Sequence, residues 1–264
     1  MIPNVLSIAG SDPSGGAGIQ ADLKTFAALG CYGMAVITSL TAQNTCGVRS
    51  IIDVPDVFVK DQIRAIFDDI NVAAVKIGML SNADIINAVA DCLEEYKPEN
   101  IVLDPVMVAS SGDNLITSDA IIAMKERLIP LSNVLTPNIP EAEKLSRKSV
   151  IDMERSARGL LNLGAKAIYL KGGHLKGDIM CDVLAYDDDV RVFEAPRIDT
   201  ANTHGTGCTL SAAIAAYLSM GESLTDSCGK AKAYLNGALK NSNKLNTGMG
   251  RGSVYHGWRG RANE

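Results

Sequence analysis

Short apolar runs alternate with amphipathic stretches along most of this 264-residue chain. The runs have the length of buried strands, and the stretches between them repeat apolar residues every three or four positions, as helices do. This alternation predicts a mostly parallel sheet covered by helices on both faces. Buried strands are predicted at residues 5–9, 35–40, 75–80, 101–106, 133–136 and 167–171. Helices are predicted at residues 18–29, 55–69, 82–96, 117–128, 152–163 and 207–220.

Two segments depart from this alternation. Residues 181–186 and 190–195 flank the acidic turn "DDD" and predict an antiparallel hairpin at the edge of the sheet. The tail from Asn246, "NTGMGRGSVYHGWRGRANE", is Gly-rich, and we expect it to be partly mobile. Because no linker, repeat or low-complexity block interrupts the chain, a single domain over residues 1–264 is expected.

Composition and charge narrow the classes of partner. The net charge is −5 and no basic cluster occurs, which argues against nucleic acid. No apolar run approaches the length of a membrane span, and the start "MIPNVLSIAG" resembles a buried strand more than a signal peptide. The six cysteines are scattered, without a CxxC pair. We therefore expect a reduced, cytoplasmic protein, in which most thiols are small core side chains.

In open parallel sheets, ligands bind at the carboxyl ends of the strands. The segments that follow the predicted strands are therefore the candidate site. They comprise residues 10–18, 41–45, 79, 104–106, 136–141, 171–174 and 202–208. Although far apart in sequence, they are expected to converge on one crevice.

The segment "NTHGTGCTLSA", residues 202–212, predicts a loop that leads into a helix. Gly205 and Gly207 allow the backbone to turn its N–H groups inward. The unpaired N–H groups and the dipole at the start of the helix favour negative charge. An ordinary helix-capping loop would have the same composition, and no Walker A sequence occurs in the chain. The segment is thus a candidate phosphate cradle, with Cys208 in its first turn.

Carboxylates and a lysine follow three other predicted strands. Asp104, in "LDPVM", ends a buried strand, where a carboxylate requires a cation or hydrogen-bond donors. Asn138 and Glu141, in "TPNIPEAE", could contribute to a Mg²⁺ site completed by waters and phosphates, or could cap a helix. Lys171, in "KGGH", suits a phosphate. Their joint placement at strand ends predicts a phosphoryl-transfer site.

The segment "AGSDPSGGAGIQAD", residues 9–22, matches the dinucleotide fingerprint GxGxxG poorly. Asp12 could cap a turn. Asp22 is expected in the first turn of a helix, either as a surface carboxylate stabilised by the helix dipole or as an acceptor for a small polar ligand. His174 and His204 fit a structural role and a catalytic role equally.

Eight motifs occur in order that resemble those of the hydroxymethylpyrimidine/phosphomethylpyrimidine kinases of thiamine biosynthesis. They are "AGSDPSGGAGIQADLKTF", "TAQNT", "KIGML", "LDPVM", "SSGDNL", "TPNIPEAE", "LKGGH" and "HGTGCTLSAAIAA". This family belongs to the ribokinase superfamily, in the branch shared with pyridoxal kinases, and the resemblance covers residues 4–240. It implies a three-layer α/β/α fold, usually a homodimer. It also implies phosphorylation of 4-amino-5-hydroxymethyl-2-methylpyrimidine and then of its monophosphate, with ATP and Mg²⁺.

The resemblance also implies roles for single residues. The pyrimidine pocket would use Gly10, Asp22, Gln43, Met79 and Val106. The Mg²⁺ ligands would be Asp104 and Glu141. The ATP and its phosphates would lie near Asn138, Lys171, Thr203 and Lys232. The anion hole would be formed by Gly205, Thr206, Gly207 and Cys208. In this assignment the Gln43 amide offers a donor and an acceptor to the aminopyrimidine edge, and Met79 packs on the ring.

Two further segments bear on the resemblance, one near the middle of the chain and one near its end. "SSGD", residues 110–113, resembles the mobile flap of the family. Near the end of the chain the family tends to carry Gly-x-Gly-Pro-Val-x-His, whereas "GRGSVYH" has Ser253 in place of the proline. Because of this departure, the resemblance does not predict the detailed structure of the C-terminal segment. The expected chemistry is unaffected.

Cys208 is the expected general base, with a pKa lowered by the helix N-terminus so that a thiolate is accessible near neutral pH. Sugar kinases of the superfamily place an aspartate at this position. A thiol, unlike an aspartate, can stay neutral when the second substrate brings its own phosphate. The presence of a cysteine therefore favours an enzyme that accepts both substrates.

Three alternatives remain at this point. A pyridoxal kinase, or an enzyme with dual specificity, shares the fold and the anion hole, although Gln43 and Met79 favour the pyrimidine. A non-catalytic pyrimidine-binding protein is expected to have lost Asp104, Glu141, Lys171 or Cys208, and all four are present. A sugar kinase is disfavoured because the aspartate base is missing.

Overall fold

The computed structural model describes residues 1–108, 112, 115–173 and 177–259. Its strands are β1 (Asn4–Ser11), β2 (Tyr32–Asn44), β3 (Gly47–Asp53), β4 (Ala74–Ile77), β5 (Ile101–Leu103), β6 (Val134–Leu135), β7 (Ala167–Leu170), β8 (Ile179–Tyr186) and β9 (Asp189–Pro196). Its helices are α1 (Gly18–Ala28), α2 (Asp56–Phe67), α3 (Ala83–Tyr96), α4 (Ser118–Ala123), α5 (Ile139–Ser146), α6 (Met153–Leu160), α7 (Thr206–Ser219) and α8 (Leu224–Lys240).

The strands of the described residues form one nine-stranded sheet in the order β3-β2-β1-β4-β5-β6-β7-β8-β9. Strands β2, β1, β4, β5, β6 and β7 run parallel. This confirms the predicted parallel sheet, and β8–β9 confirms the predicted edge hairpin. The opposite edge carries a second, unpredicted hairpin, β2–β3, in which Gln43 is paired with Val48. Gln43 was expected after a strand and instead lies within one.

Side chains of the central strands alternate between two cores, as the pleat of a sheet requires. Leu6 and Leu103 pack with residues of α2 to α6 on one face. Val5 and Val102 pack with residues of α1, α7 and α8 on the other. The three-layer α/β/α architecture predicted from the sequence is confirmed.

The helices differ from the prediction mainly at their ends. The helix predicted at 117–128 is α4 followed by a π-helical turn over Met124–Leu128. The helix predicted at 152–163 begins after the cap residue Asp152, whose side chain accepts from Arg155 N at 3.0 Å, and ends in a 3₁₀ turn. Helix α8 was not predicted.

In the part of the chain that is described, no helix has both the length and the apolar character needed to cross a membrane.

The segment after α8 packs against the rest of the fold. Val254 and His256 are buried, and the indole N–H of Trp258 donates to Tyr234 O at 3.1 Å. The part of the tail from Gly252 to Trp258 is therefore packed, whereas residues 248–251 are exposed, and the partial mobility of the tail stays a prediction. Ser253 is also buried, and its backbone N–H donates to Thr247 Oγ1 at 3.4 Å. A proline at this position could not make that bond, because it has no N–H.

A buried ion pair joins α1 to the sheet. Asp22 and Lys76 have no exposed side-chain surface. The ammonium of Lys76 lies 2.9 and 2.8 Å from the two carboxylate oxygens of Asp22, and the hydroxyl of Ser7 donates to one of them at 2.6 Å. Because α1 begins at Gly18, Asp22 lies beyond the first turn and faces the sheet. Its interpretation as a surface carboxylate in the first turn is wrong.

The substitution Lys76→Met is expected to lower the free energy of unfolding by about 3–5 kcal/mol, because it leaves the Asp22 carboxylate buried without its cation. Urea unfolding at neutral pH measures this loss. The control is Lys60→Met, which breaks the partly exposed pair with Asp91 and should cost less than about 1 kcal/mol. Equal losses for the two variants would contradict a dominant role for the buried pair.

Candidate active site

One cavity of about 630 Å³ lies at the carboxyl ends of the parallel strands and beside the N-terminus of α7. Except for Asp22, every site residue predicted from the sequence lines it. These residues are Gly10, Gln43, Met79, Asp104, Val106, Asn138, Glu141, Lys171, Thr203, Gly205, Thr206, Gly207, Cys208 and Lys232. The expectation that strand-end segments converge on one crevice is confirmed.

A cluster of three charged side chains occupies the floor of this cavity. The ammonium of Lys171 lies 2.8 Å from Asp104 Oδ1 and 3.9 Å from Glu141 Oε2. Asp104, which is 1% exposed, also accepts from Thr136 and Ser211, each at 3.3 Å. The buried carboxylate at the end of β5 thus has the cation and donors that its burial requires.

The cluster holds more negative charge than Lys171 alone balances. Burial raises the pKa of Glu141 to about 7, with Lys171 opposing the shift and Asp104 adding to it. The pKa of Lys171 is raised as well, because Asp104 and Glu141 outweigh the effect of burial. These shifts indicate that a second cation would stabilise the ionised form of Glu141.

Asn138 and Glu141 also form the N-terminal cap of α5. The side chain of Asn138 accepts from Glu141 N at 2.9 Å, and the side chain of Glu141 accepts from Asn138 N at 2.7 Å. This reciprocal arrangement is a capping box. The capping role left open by the sequence is confirmed, and it fixes both side chains at the edge of the cavity.

The start of α7 presents backbone N–H groups to the charged cluster. Gly205 has φ +78°, and a Cβ there would lie 1.8 Å from Gly16 O, so only glycine fits. A Cβ on Gly207 would lie 3.3 Å from both Asp104 Oδ2 and Lys171 Nζ. The first N–H groups of a helix have no acceptor within it. In α7 the N–H of Thr206 donates to Thr203 O at 3.4 Å, whereas those of Gly207 and Cys208 have no acceptor among the described residues. These two N–H groups are therefore available to an anion that also contacts Lys171.

Cys208 lies half-buried in the cavity wall, but its predicted activation is wrong. Burial raises the pKa of the thiol to about 11. Lys76 and the N–H of Gly18 favour the thiolate, yet they do not offset burial and the carboxylates of Asp22 and Asp104. The helix N-terminus therefore does not produce a thiolate near neutral pH, and the Cys208 side chain is neutral there.

Asp22 does not contact the cavity. Its carboxylate is fully buried and accepts from Lys76 and Ser7. The predicted direct hydrogen bond from a ligand to Asp22 therefore has no support in this arrangement and stays a prediction. Asp22 instead acts on the site through Lys76 and through its charge near Cys208.

The end of the cavity beside β2 is formed by Gly10, Gln43 and Met79. The side-chain oxygen of Gln43 accepts from Thr41 Oγ1 at 3.2 Å. Among the described residues, the Gln43 amide NH₂ has no acceptor, which leaves it free to donate to a ligand. Met79 lies against Gly10, with its sulfur 3.2 Å from where a Cβ on Gly10 would be. This end suits a flat ring with an acceptor on its edge.

The loop after β1 is held by Asp12. Its carboxylate accepts from the backbone N–H groups of Ser14, Gly16 and Ala17 at 2.9 to 3.2 Å. His204 Nε2 lies 2.8 Å from Asp12 Oδ2. Asp12 thus caps a turn, as one interpretation of the sequence expected. His204 lines the cavity and ties this loop to the start of α7.

Lys232 lines the cavity, but its ammonium is already paired. It lies 2.5 Å from Asp182 Oδ2. Asp182 also accepts from the hydroxyl of Tyr169 at 3.0 Å and from Gly172 N at 2.8 Å. Lys232 is therefore part of a fixed network at the nucleotide end expected from the resemblance.

Sequence reasoning missed several residues that shape the site. Lys76 was visible as a lysine within an apolar strand, which is a usable signal for a buried charge. Asp182 lies in an edge strand and Arg251 in the Gly-rich tail, and neither had a sequence signal linking it to the cavity. His174 lies outside the described residues, as does the expected flap at 110–113 apart from Gly112.

Comparison with known proteins agrees with this geometry. A model of the family described as phosphomethylpyrimidine kinase matches residues 12–255. The chain belongs to this family. The hydroxymethylpyrimidine/phosphomethylpyrimidine kinase of Rhizobium meliloti is 50% identical over 255 residues, which cover 95% of this chain and 96% of that protein.

Solved structures of two kinds of kinase have the same fold as this chain. The crystal structure of phosphomethylpyrimidine kinase from Clostridium difficile has a TM-score of 0.81 and 43% identity, and covers 90% of this chain and 99% of that one. The pyridoxal kinase of Bacillus subtilis, solved as an ADP complex, has a TM-score of 0.90 and 37% identity over the whole of both chains. The ribokinase-like fold predicted from the sequence is confirmed.

At about pH 7.5, iodoacetamide is expected to alkylate Cys208 at least about tenfold more slowly than the exposed Cys46, because only the thiolate reacts. The rate at Cys208 should still be rising at about pH 10, since its pKa is about 11. Mass spectrometry of the alkylated peptides measures both rates. Faster alkylation of Cys208 than of Cys46 near neutral pH would contradict a neutral Cys208 and would support the activated thiolate predicted from the sequence.

Proposed function

We propose that this chain transfers a phosphoryl group from ATP to the hydroxymethyl group of 4-amino-5-hydroxymethyl-2-methylpyrimidine, and a second one to the resulting monophosphate. The observation that carries the proposal is the placement of Lys171, Asp104 and Glu141 against the start of α7, at the floor of the cavity. Family membership supplies the substrate class. The proposal treats residues 1–264 as one kinase domain.

The two ends of the cavity suit the two substrates. We assign Gly10, Gln43, Met79 and Val106 to the pyrimidine, because Gln43 has a free amide donor and Met79 offers an apolar face. ATP and its phosphates are assigned to Asn138, Lys171, Thr203 and Lys232. The phosphoryl group would then pass between the two ends, over the start of α7.

Phosphoryl transfer depends mainly on positioning and on neutralisation of charge. The backbone N–H groups from Gly205 to Cys208 would donate to the transferred group, and the dipole of α7 would stabilise its charge. Lys171 would contact the same group from the side of β7. The protein thereby supplies fixed dipoles and one ammonium to a largely buried site.

Asp104 and Glu141 are proposed to hold Mg²⁺. Their carboxylate oxygens are the hard ligands that this ion prefers, and the raised pKa of Glu141 indicates a place for another cation. No group of three or more potential ligands is found in the described part of the chain. The ion would therefore take its remaining ligands from water and ATP, and would neutralise phosphate charge when bound.

Cys208 is proposed to act as a neutral hydrogen-bonding group beside the acceptor. With a pKa of about 11 its thiol carries no charge near neutral pH. In a loose transition state the hydroxyl of the acceptor need lose its proton only late, so a strong base is not required early. A neutral thiol also does not repel the phosphate of the second substrate, which attacks without needing a base.

Pyridoxal is the second candidate substrate, because the high similarity to the pyridoxal kinase of Bacillus subtilis extends over the whole chain. Both candidates are tested together by incubating the protein with Mg-ATP and each compound, followed by mass spectrometry. Mono- and diphosphate products of the pyrimidine are expected, with omission of Mg²⁺ as the control. A product from pyridoxal alone would assign the second activity, and no phosphorylated product from either compound would refute the kinase.

Replacing Cys208 by aspartate is expected to suppress the second phosphorylation far more than the first. Two like charges about 4 Å apart cost about 4 kcal/mol at an effective dielectric near 20, or roughly a thousandfold in rate. Cys208→Ser is the matched control, because serine is neutral and similar in size, and it should keep the ratio of the two rates. If Cys208→Asp retained the second step as well as the first, charge would not be the reason for the thiol.

A homodimer is proposed through the edge of the sheet at β3 and the adjoining α2. Ile52, Val57 and Phe58 lie there with more than half of their surface exposed, at 69%, 65% and 57%. Exposed apolar residues in one region are typical of subunit interfaces. Light scattering should give twice the chain mass, and Phe58→Glu should reduce it to that of one chain. A monomer at all concentrations for the wild type would exclude the dimer.

A further inference from the structure

The C-terminal segment returns to the acceptor end of the cavity and is fixed there by its backbone. Arg251 N donates to Thr45 O at 3.0 Å, in the turn between β2 and β3. On the other side, His204 N donates to Gly252 O at 3.0 Å, in the loop before α7. The backbone of Arg251 therefore lies between the strand that carries Gln43 and the loop that leads into the phosphate cradle.

Arg251 lines two adjoining cavities. One is the main cavity, and the other is a smaller cavity of about 340 Å³ that it forms with the turn at residues 44–46, Gln43, His204 and Gly250. Gln43 and His204 also line both. Arg251 thus lies on the wall that connects the proposed ring-binding end to the start of α7.

The other cationic side chains that line the main cavity are either paired with a protein group or lie away from the acceptor end. Lys171 is paired with Asp104, Lys232 is paired with Asp182, and Arg197 donates to Gly177 O. Lys144 lies in the last turn of α5 and does not line the smaller cavity. Across the described residues, the side chain of Arg251 makes no hydrogen bond or salt bridge. Among the described residues, Arg251 is therefore the cationic side chain at the acceptor end that has no such partner.

The two acceptors of the proposed reaction differ in charge at this end. The hydroxymethyl compound is neutral, whereas the monophosphate is an anion that must approach the terminal phosphate of ATP. An unpaired guanidinium binds a phosphate through two parallel hydrogen bonds. Such a group offsets the repulsion between the two phosphates and has no role toward the neutral acceptor.

We propose that Arg251 binds the phosphate of the monophosphate acceptor and thereby determines the activity of this enzyme in the second phosphorylation. The inference rests on the proposed function, since it assumes that the same cavity takes both acceptors. It assigns to the C-terminal segment a part in substrate selection. The first phosphorylation does not depend on Arg251.

The substitution Arg251→Gln tests this assignment. We expect kcat/KM for the monophosphate to fall about 10- to 100-fold, mainly through a higher KM, because a charged hydrogen bond to the substrate is lost. The same constant for the hydroxymethyl compound should change less than about threefold. Arg251→Lys should recover part of the loss, because a lysine keeps the charge but not the paired donors. Calorimetric titration of the monophosphate without ATP should show the same weakening.

The matched control is Arg155→Gln, which removes an exposed guanidinium from α6 that lines neither cavity and lies outside the proposed dimer interface. It should leave both steps unchanged, and thermal melting should show that all variants remain folded. An equal fall in both steps, or no change in the second, would overturn the role of Arg251. Failure of the wild type to make the diphosphate would instead refute the second step of the proposed function, and the inference with it.

Discussion

The salt bridge between Lys171 and Asp104 is the interaction on which the candidate site depends. It joins the ends of β7 and β5 across the intervening β6, and both groups are largely withdrawn from water. Glu141 and the start of α7 converge on the same pair. A buried pair of this kind contributes little net stability, and removing one partner leaves an uncompensated charge. Its value is therefore in holding charged groups at fixed positions where phosphate charge develops.

Much of the fold could be predicted from the sequence because its central strands are continuous apolar runs. Such runs are buried on both faces, so their pattern does not depend on distant partners. The polar part of β2 had no such signal. Its residues 41–44 are ordered by pairing with β3, which the sequence alone did not reveal. Helix α8 was missed since its only local signal is weak, with Gly229 and Gly237 interrupting it.

Positions in the site were predictable, whereas their electrostatics were not. The carboxyl ends of parallel strands meet at one edge, which was enough to bring Asp104, Glu141 and Lys171 together. The pKa of Cys208 depends on burial and on Lys76, Asp22 and Asp104, three residues that are distant in sequence. A helix N-terminus seen in the sequence therefore predicted the wrong direction. The packing of Val254 and Trp258 in the Gly-rich tail likewise depends on non-local contacts, which the local sequence does not show.

The most direct test is a crystal structure with Mg²⁺ and a non-hydrolysable ATP analogue. The terminal phosphate of the analogue is expected within hydrogen-bonding distance of the N–H groups at Gly207 and Cys208 and of the Lys171 ammonium, with Mg²⁺ on the side of Asp104 and Glu141. Phosphates bound away from the start of α7, or a Lys171 ammonium that contacts no phosphate, would contradict the assignment of this cluster to phosphoryl transfer.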